Sequence, residues 1–185
     1  MRKGGNIHTQ PNYLNNILHT LHAIPYVAIQ EYKTARLLAD EVKRLGFTVL
    51  EGVGGTGIIA TMKGDLPGAV IALRADMDAL VYQVDGQTEC RHTCGHDAHS
   101  AMVLATAKNI AERRLRSGTA VIIFQPAEEP ILGALAMIDS GHIDKQGIDE
   151  LYGIHLRPVG EMEVGKATPA LYHKKKKKKS FIFLS

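Results

Sequence analysis

The chain has 185 residues, 45% of them apolar and 22% charged, a composition typical of a soluble globular protein with one sizeable core. Its formal net charge is +3, but subtracting six consecutive lysines at 174–179 leaves −3 for the rest of the chain. Outside that run no basic stretch is interleaved with aromatic residues, which argues against a nucleic-acid-binding surface.

The N-terminus, the lengths of the apolar segments and the cysteine content predict a cytoplasmic protein. The N-terminus lacks the apolar run of a secretory signal, and no segment approaches the about 18 apolar residues of a membrane span. With only Cys90 and Cys94 present and no sign of export, a disulfide framework is not expected.

The first half of the chain predicts two helices followed by three strands. Apolar residues at helical spacing predict helices over 12–24 and 31–46, the second ending at Gly46. Short apolar runs between glycine- or proline-bearing turns then predict strands. These strands are expected at 47–53, 57–64 and 69–76.

The second half alternates helices and strands. It predicts a helix over 98–118 that ends at Gly118, a buried strand over 119–129, a helix over 132–141 and a strand over 151–156. This alternation predicts an α/β fold, layered α/β/α, with a largely parallel central sheet.

Polar residues follow the apolar strands at the point where each strand ends. In open α/β sheets the ligand crevice lies outside the carboxyl ends of the strands. We therefore expect five side chains to converge there: Asp76, Asp78, Glu128, Glu129 and His155.

The segment "RHTCGHDAHS" (91–100) is the densest cluster of metal-binding residue types. Cys94 and His96, separated by one glycine, can turn a thiolate and an imidazole toward one ion if they lie in a loop that enters a helix. Asp97 is predicted either to cap that helix or to bind metal. His99, three residues after His96, is interpreted as a hydrogen-bonded helix histidine rather than a ligand.

Three kinds of site are compatible with this cluster. A closed zinc knot would use Cys90, Cys94, His96 and His99, but that spacing is compact for wrapping one ion. A redox pair of Cys90 and Cys94 lacks the Cys-x-x-Cys spacing. An open catalytic site needs further ligands and a base.

"QPAEE" (125–129) offers both a ligand and a base. Because Pro126 frees the chain from extended geometry, one carboxylate can bind metal while its neighbour faces a water. Two solvated loop glutamates are the alternative. His155 likewise is either a ligand or a core histidine.

Four motifs, "ALRADMDAL", "HTCGHDAHSAM", "IIFQPAEE" and "GIHLRP", occur in this order. Together they resemble the metal-dependent amidohydrolase and peptidase family of N-acyl amino acid amidohydrolases, which includes hippurate, aminobenzoyl-glutamate and auxin-conjugate hydrolases. The resemblance implies hydrolysis of small-molecule N-acyl amino acids or related amides, with two divalent ions (zinc, manganese, cobalt or nickel) and family homo-oligomers.

The resemblance also implies roles for individual residues. Glu128 would be the general base and acid, while Asp78, together with Asp76 at the neighbouring family position, would orient the site. Arg157 beside His155 is a candidate partner for a substrate carboxylate, with a surface arginine as the alternative. The implied metal ligands are Cys94, His96, Glu129 and His155.

The chain departs from the family pattern after "ATPALYH". Family members are roughly twice as long, with an inserted lid or dimerisation domain and a late histidine ligand that His173 does not match. We expect residues 1–173 to be the N-terminal part of the catalytic domain and 174–185 to be a non-family tail arising from a frameshift or truncation. A polybasic membrane contact is the alternative for the tail. A catalytically inactive fragment therefore stands beside the hydrolase as a functional hypothesis.

Overall fold

The computed structural model describes residues 11–157, 160, 163–169 and 180–184, so the first ten residues, His173 and the lysine run lie outside the described residues. Both expected N-terminal helices are confirmed, as α1 (Pro11–His22) and α2 (Tyr32–Arg44). In α2 the residues Leu38, Ala39 and Val42 are fully buried, at the spacing that gives a helix one apolar face.

Within the described residues, the central sheet has seven strands in the order β1-β2-β6-β3-β7-β9-β8. The neighbours β6-β3, β3-β7 and β7-β9 are parallel, whereas β1-β2, β2-β6 and β8-β9 are antiparallel. The bounds are β1 Thr48–Val53, β2 Gly57–Lys63, β3 Leu66–Asp76, β6 Ser117–Gln125, β7 Glu150–Leu156, β8 Ala167–Pro169 and β9 Ser180–Leu184.

Strand β6 is apolar on both faces because both faces of the sheet are covered. Ile122 and Phe124 point into one core, which α1, α2 and α3 (His96–Arg113) cover. Val121 and Ile123 point into a second core on the opposite face, against Met137 of α4 (Gly133–Asp139). A continuous apolar run is what a strand buried on both faces requires. The layered α/β fold predicted from the sequence is thereby confirmed.

The two crossovers bring three strand ends together. The chain runs from β3 through α3 to β6, and from β6 through α4 and a 3-10 turn (Asp144–Gln146) to β7 on the other side of β3. Asp76 at the end of β3 is the register partner of Gln125 at the end of β6. The segments that follow β3, β6 and β7 therefore emerge side by side.

The predicted end of α3 at Gly118 is wrong. The helix ends at Arg113, Arg114 has a positive φ of 54°, and β6 has begun by Ser117. Gly118 lies inside β6, where an added Cβ would come within 2.4 Å of the Ala69 main-chain oxygen. The glycine is needed because two backbones approach closely, which a local sequence pattern does not distinguish from a helix stop.

The sequence interpretation also missed a β-hairpin between β3 and α3. Strands β4 (Leu80–Val84) and β5 (Gln87–Arg91) pair antiparallel around Asp85 and Gly86, which both have positive φ. An Asp-Gly dipeptide between short β-type runs is a strong hairpin signal, so this element was predictable.

Candidate metal centre

The candidate site lies at the carboxyl ends of β3, β6 and β7, where the first turn of α3 also begins. Gly95, with φ 79°, turns the chain into the helix, so that His96 is its first residue. A left-handed backbone at this position favours glycine, which explains the residue between Cys94 and His96. The five polar residues expected at the strand ends all lie in this region.

His96 is buried, and its two ring nitrogens have different surroundings. Nδ1 lies 3.0 Å from the main-chain oxygen of Asp78 and 3.2 Å from its carboxylate, so in the neutral ring Nδ1 carries the proton. Nε2 is buried and has no hydrogen-bond partner among the described residues. Its lone pair is therefore directed at the site.

Three carboxylates surround Nε2 of His96 at similar distances. The nearest oxygens are 3.8 Å away for Asp76, 3.9 Å for Glu128 and 3.8 Å for Glu129. These separations are too long for hydrogen bonds. Zinc–ligand bonds of about 2.0–2.3 Å separate two donors of one ion by roughly 3–4 Å, so the spacing fits a cation between the donors.

Cys94, His96 and Glu129 form one group of potential ligand atoms, which all lie within 4.8 Å of one another. Burial and the hydrogen bond with Glu129 raise the pKa of the Cys94 thiol to about 12. Such a thiol stays protonated at neutral pH unless a cation displaces the proton. Thiolate, imidazole and carboxylate together form a donor set that suits zinc and other divalent transition metals.

Asp76, His96, His99 and His155 form a second group within the same limit. In this group the ring nitrogens of His99 are both engaged. Leu156 N–H donates to Nε2 at 2.8 Å, so Nδ1 carries the proton and donates to Asp76 Oδ1 at 2.6 Å. His99 is thus a hydrogen-bonded helix histidine in this structure, as the sequence interpretation had it.

Both carboxylate oxygens of Asp76 are also paired. Oδ1 accepts from His99, and Oδ2 forms an ion pair of 2.7 Å with Arg74, whose Nε donates to Gln125. Burial alone would raise the pKa of Asp76, but the His99 hydrogen bond and the Arg74 charge outweigh it and hold that pKa well below its usual range. Sequence reasoning missed Arg74, although a charged residue inside an apolar strand was a usable signal.

Asp78 connects His96 to the turn formed by residues 127–129, which we call the glutamate turn. Its Oδ1 contacts His96, and its Oδ2 accepts the main-chain N–H of Glu129 at 3.0 Å. Burial opposes ionisation, but these hydrogen bonds lower the pKa of Asp78 below its usual value. Through these contacts Asp78 links His96 to Glu129.

Residues 126–129 leave the extended conformation directly after β6. Ala127 has a positive φ of 46°, and Ile131 N–H donates to the Glu128 main-chain oxygen at 2.8 Å. The carboxylates of adjacent Glu128 and Glu129 therefore both reach His96 instead of pointing to opposite faces.

His155 and Arg157 come at the end of β7. The ring of His155 lies 4.6 Å from that of His99 and 6.2 Å from that of His96, measured between centroids, and its Nδ1–H donates to the Leu156 oxygen at 2.6 Å. Arg157, half-buried, is the first residue after the strand.

The other interpretations of the cluster find no support in the geometry. Cys90 lies in β5 and in neither ligand group, and both cysteines are free thiols.

Asp97 also lies in neither group. It pairs with His22 of α1 at 2.7 Å and accepts the N–H of Ala98. The contact with His22 bridges 75 positions and has no local sequence signal.

Comparison with known proteins identifies relatives of this chain. The family model described as peptidase family M20/M25/M40 matches residues 72–172. Thermostable carboxypeptidase 2 of Saccharolobus solfataricus is 38% identical over 156 residues, covering 78% of this chain and 39% of that protein. Hippurate hydrolase of Campylobacter jejuni is 37% identical over 151 residues, with the same two shares.

The solved structures include the Bacillus subtilis YXEP protein, described as a dinuclear metal-binding peptidase from the M20 family. It superposes with a TM-score of 0.74 at 35% identity, covering 84% of this chain and 45% of that one. The chain thus spans about two fifths of the length of the curated relatives it matches. None of the helices in the described residues is long and apolar enough to cross a membrane.

Proposed function

We propose, because the chain belongs to peptidase family M20/M25/M40, that it is the N-terminal part of a metal-dependent hydrolase of N-acyl amino acids and related amides. The hydrolase would be the whole protein, with residues 1–173 in its catalytic domain and 174–185 outside the family region. The observation that supports this most is the buried, unpartnered Nε2 of His96 facing three carboxylate oxygens among the described residues. Isolated buried polar atoms are unfavourable, and a cation would resolve this one.

The proposed ligands of two divalent ions are Cys94, His96, Glu129 and His155. Zinc, manganese, cobalt and nickel all fit this mixture of donors. When bound, such ions acidify a water and stabilise negative charge on the amide oxygen. Asp78 is proposed to orient the ligands His96 and Glu129, which it contacts directly. Asp76 is proposed to act through His99, which accepts the N–H of Leu156 next to the ligand His155.

Glu128 is proposed as the general base and acid. Its side chain is about one-third exposed and reaches the same space as the candidate ligands, so it can meet a water there. It would accept a proton as the water attacks the amide carbonyl and return it to the leaving amine. Arg157, at the end of the neighbouring strand, is proposed to bind the carboxylate of the substrate's amino-acid portion.

A metal-binding chain without turnover is the second candidate. Cys94, His96 and Glu129 supply three donors to one ion, whereas His99 and Asp76 of the other group already have hydrogen-bond partners. The described residues therefore offer a fuller set of ligands to one ion than to a second.

One experiment separates the two candidates. The metal-free whole protein is titrated with zinc, manganese, cobalt or nickel, bound ions are counted, and release of glycine from N-benzoylglycine is followed. Two ions with turnover support the hydrolase, and one ion without turnover supports the second candidate. Glu128→Gln should keep its metal and lose turnover, while Glu112→Gln, on the exposed end of α3, should behave as the wild type. Normal hydrolysis by Glu128→Gln would rule out the proposed base.

A further inference from the structure

Glu31 is a fully buried carboxylate that the proposed chemistry does not use. It precedes the first residue of α2, yet its side chain makes no capping hydrogen bond to that helix. Its two oxygens accept instead from distant groups, Oε1 from the main-chain N–H of Ala127 at 3.0 Å and Oε2 from the Thr56 hydroxyl at 2.7 Å. A buried carboxylate is costly, so its position calls for a reason.

The group that Glu31 holds is the first residue of the glutamate turn. Ala127 is a non-glycine residue with a positive φ of 46°, a strained conformation that persists only when its surroundings enforce it. Its N–H points inward to Glu31, while its oxygen accepts from Leu132 N–H at 3.3 Å and Gly133 N–H at 3.1 Å. The next two residues are Glu128 and Glu129.

The far end of the same turn is held in a matching way. Asp78 Oδ2 accepts the N–H of Glu129 at 3.0 Å, two residues after the Ala127 N–H that Glu31 accepts. One carboxylate from the residue before α2 and one from the segment just after β3 thus contact the two ends of the turn. The two contacts hold the main-chain N–H groups of Ala127 and Glu129, on either side of Glu128.

We propose that Glu31 is a positioning residue that sets the Ala127 turn, so that the carboxylates of Glu128 and Glu129 face Nε2 of His96. Thr56, in the turn between β1 and β2, orients the Glu31 carboxylate through its hydroxyl. The effect of Glu31 on the backbone of the glutamate turn does not depend on the proposed function. Its effect on metal binding rests on the proposed function.

Three substitutions distinguish the effects of the length of the side chain at position 31, of its charge and of the overall stability of the chain. Glu31→Asp keeps the charge and a residue type favoured at helix starts, but is one methylene too short to hold both partners. Glu31→Gln keeps the length, with Oε1 accepting from Ala127 and its amide donating to Thr56. Val42→Ala, in the buried face of α2, lowers stability without touching the turn.

Two measurements are made on each variant of the full chain: amide hydrogen exchange of residues 127–133 and zinc affinity by competition with a chelator. Glu31→Asp should exchange faster in this turn and bind zinc about 10- to 100-fold more weakly. Glu31→Gln and Val42→Ala should resemble the wild type in both.

The proposal is overturned if Glu31→Asp leaves exchange in the turn unchanged, or if Glu31→Gln loses as much protection as Glu31→Asp. The first result would make Glu31 merely structural, and the second would make its charge the relevant property. If the wild-type chain binds no zinc, the proposed function fails, and the exchange data still decide the role of Glu31.

Discussion

His96 is held by Asp78 through two oxygens, the main-chain oxygen at 3.0 Å and a carboxylate oxygen at 3.2 Å from Nδ1. The contact turns the opposite nitrogen, Nε2, toward the carboxylates of the candidate metal centre. A carboxylate behind a histidine ligand typically determines its tautomer and orientation.

Asp78→Asn should therefore weaken metal binding. An amide can accept from His96 or from the Glu129 N–H but cannot replace both carboxylate oxygens, so one contact is lost. We expect zinc affinity to fall about 10- to 100-fold in calorimetric titrations. Asp139→Asn, at the exposed end of α4, is the matched control, and equal affinities in the two variants would contradict the orienting role.

Zinc binding near neutral pH should release at least one proton. The Cys94 thiol, with a pKa of about 12, is protonated before binding and must lose its proton to act as a ligand. Burial opposes protonation of His96, but the Asp78 hydrogen bond and nearby carboxylates raise its pKa, so affinity should increase with pH. Calorimetry in buffers of different ionisation enthalpy measures the release. Cys94→Ala should release about one proton fewer, and an unchanged count would remove Cys94 from the ligands.

Gly133→Ala should strongly destabilise the chain. An added Cβ would lie 1.6 Å from the main-chain oxygen of Pro126, so the glutamate turn would have to move. We expect a loss of about 2 kcal/mol or more in urea unfolding, with faster proteolysis after β6. At Gly160 an added Cβ meets no atom of the described residues within 4 Å, so Gly160→Ala should unfold as the wild type does. Equal midpoints for the two variants would show that the turn is not tightly packed.

Tyr13 should make stability decrease at alkaline pH. Its hydroxyl donates to Glu41 at 2.8 Å, and burial together with that contact raises its pKa above the ordinary value of 10.0. Above pH about 10 the unfolded chain loses this proton first, so the folded state holds more protons and stability falls as pH rises. The stability difference between wild type and Tyr13→Phe should narrow from pH about 8 to about 11. Tyr32→Phe, at an exposed position, is the control. If the stability difference between wild type and Tyr13→Phe stays constant over this pH range, the prediction for Tyr13 is wrong.

Arg157→Ala should raise KM for N-acyl amino acids more than it lowers kcat, because the substrate carboxylate takes no part in the bond changes and is bound alike in ground and transition states. The same substitution should have little effect on an N-acyl amine that lacks the carboxylate. Arg36→Ala, largely exposed on α2, serves as the control for general charge effects. Unchanged KM in Arg157→Ala would exclude Arg157 from substrate binding.

The sequence by itself determined the layered fold and predicted the region of the candidate metal centre. The spacing of Leu38, Ala39 and Val42 predicted a helix, and the apolar run of β6 predicted a buried strand. Both patterns are local, since each residue's burial follows from its own position along a helix or strand. The clustering of polar residues after strands likewise follows from the rule for parallel sheets.

Only the tertiary structure decided which of those polar residues meet and how each is held. His99 has its nitrogens occupied by Asp76 and by the Leu156 N–H, 57 positions away. Glu31 reaches the Ala127 N–H across 96 positions, although locally it is only an acidic residue at a helix start. Such contacts depend on how helices pack on a sheet, and the printed order of residues carries no local signal of that packing.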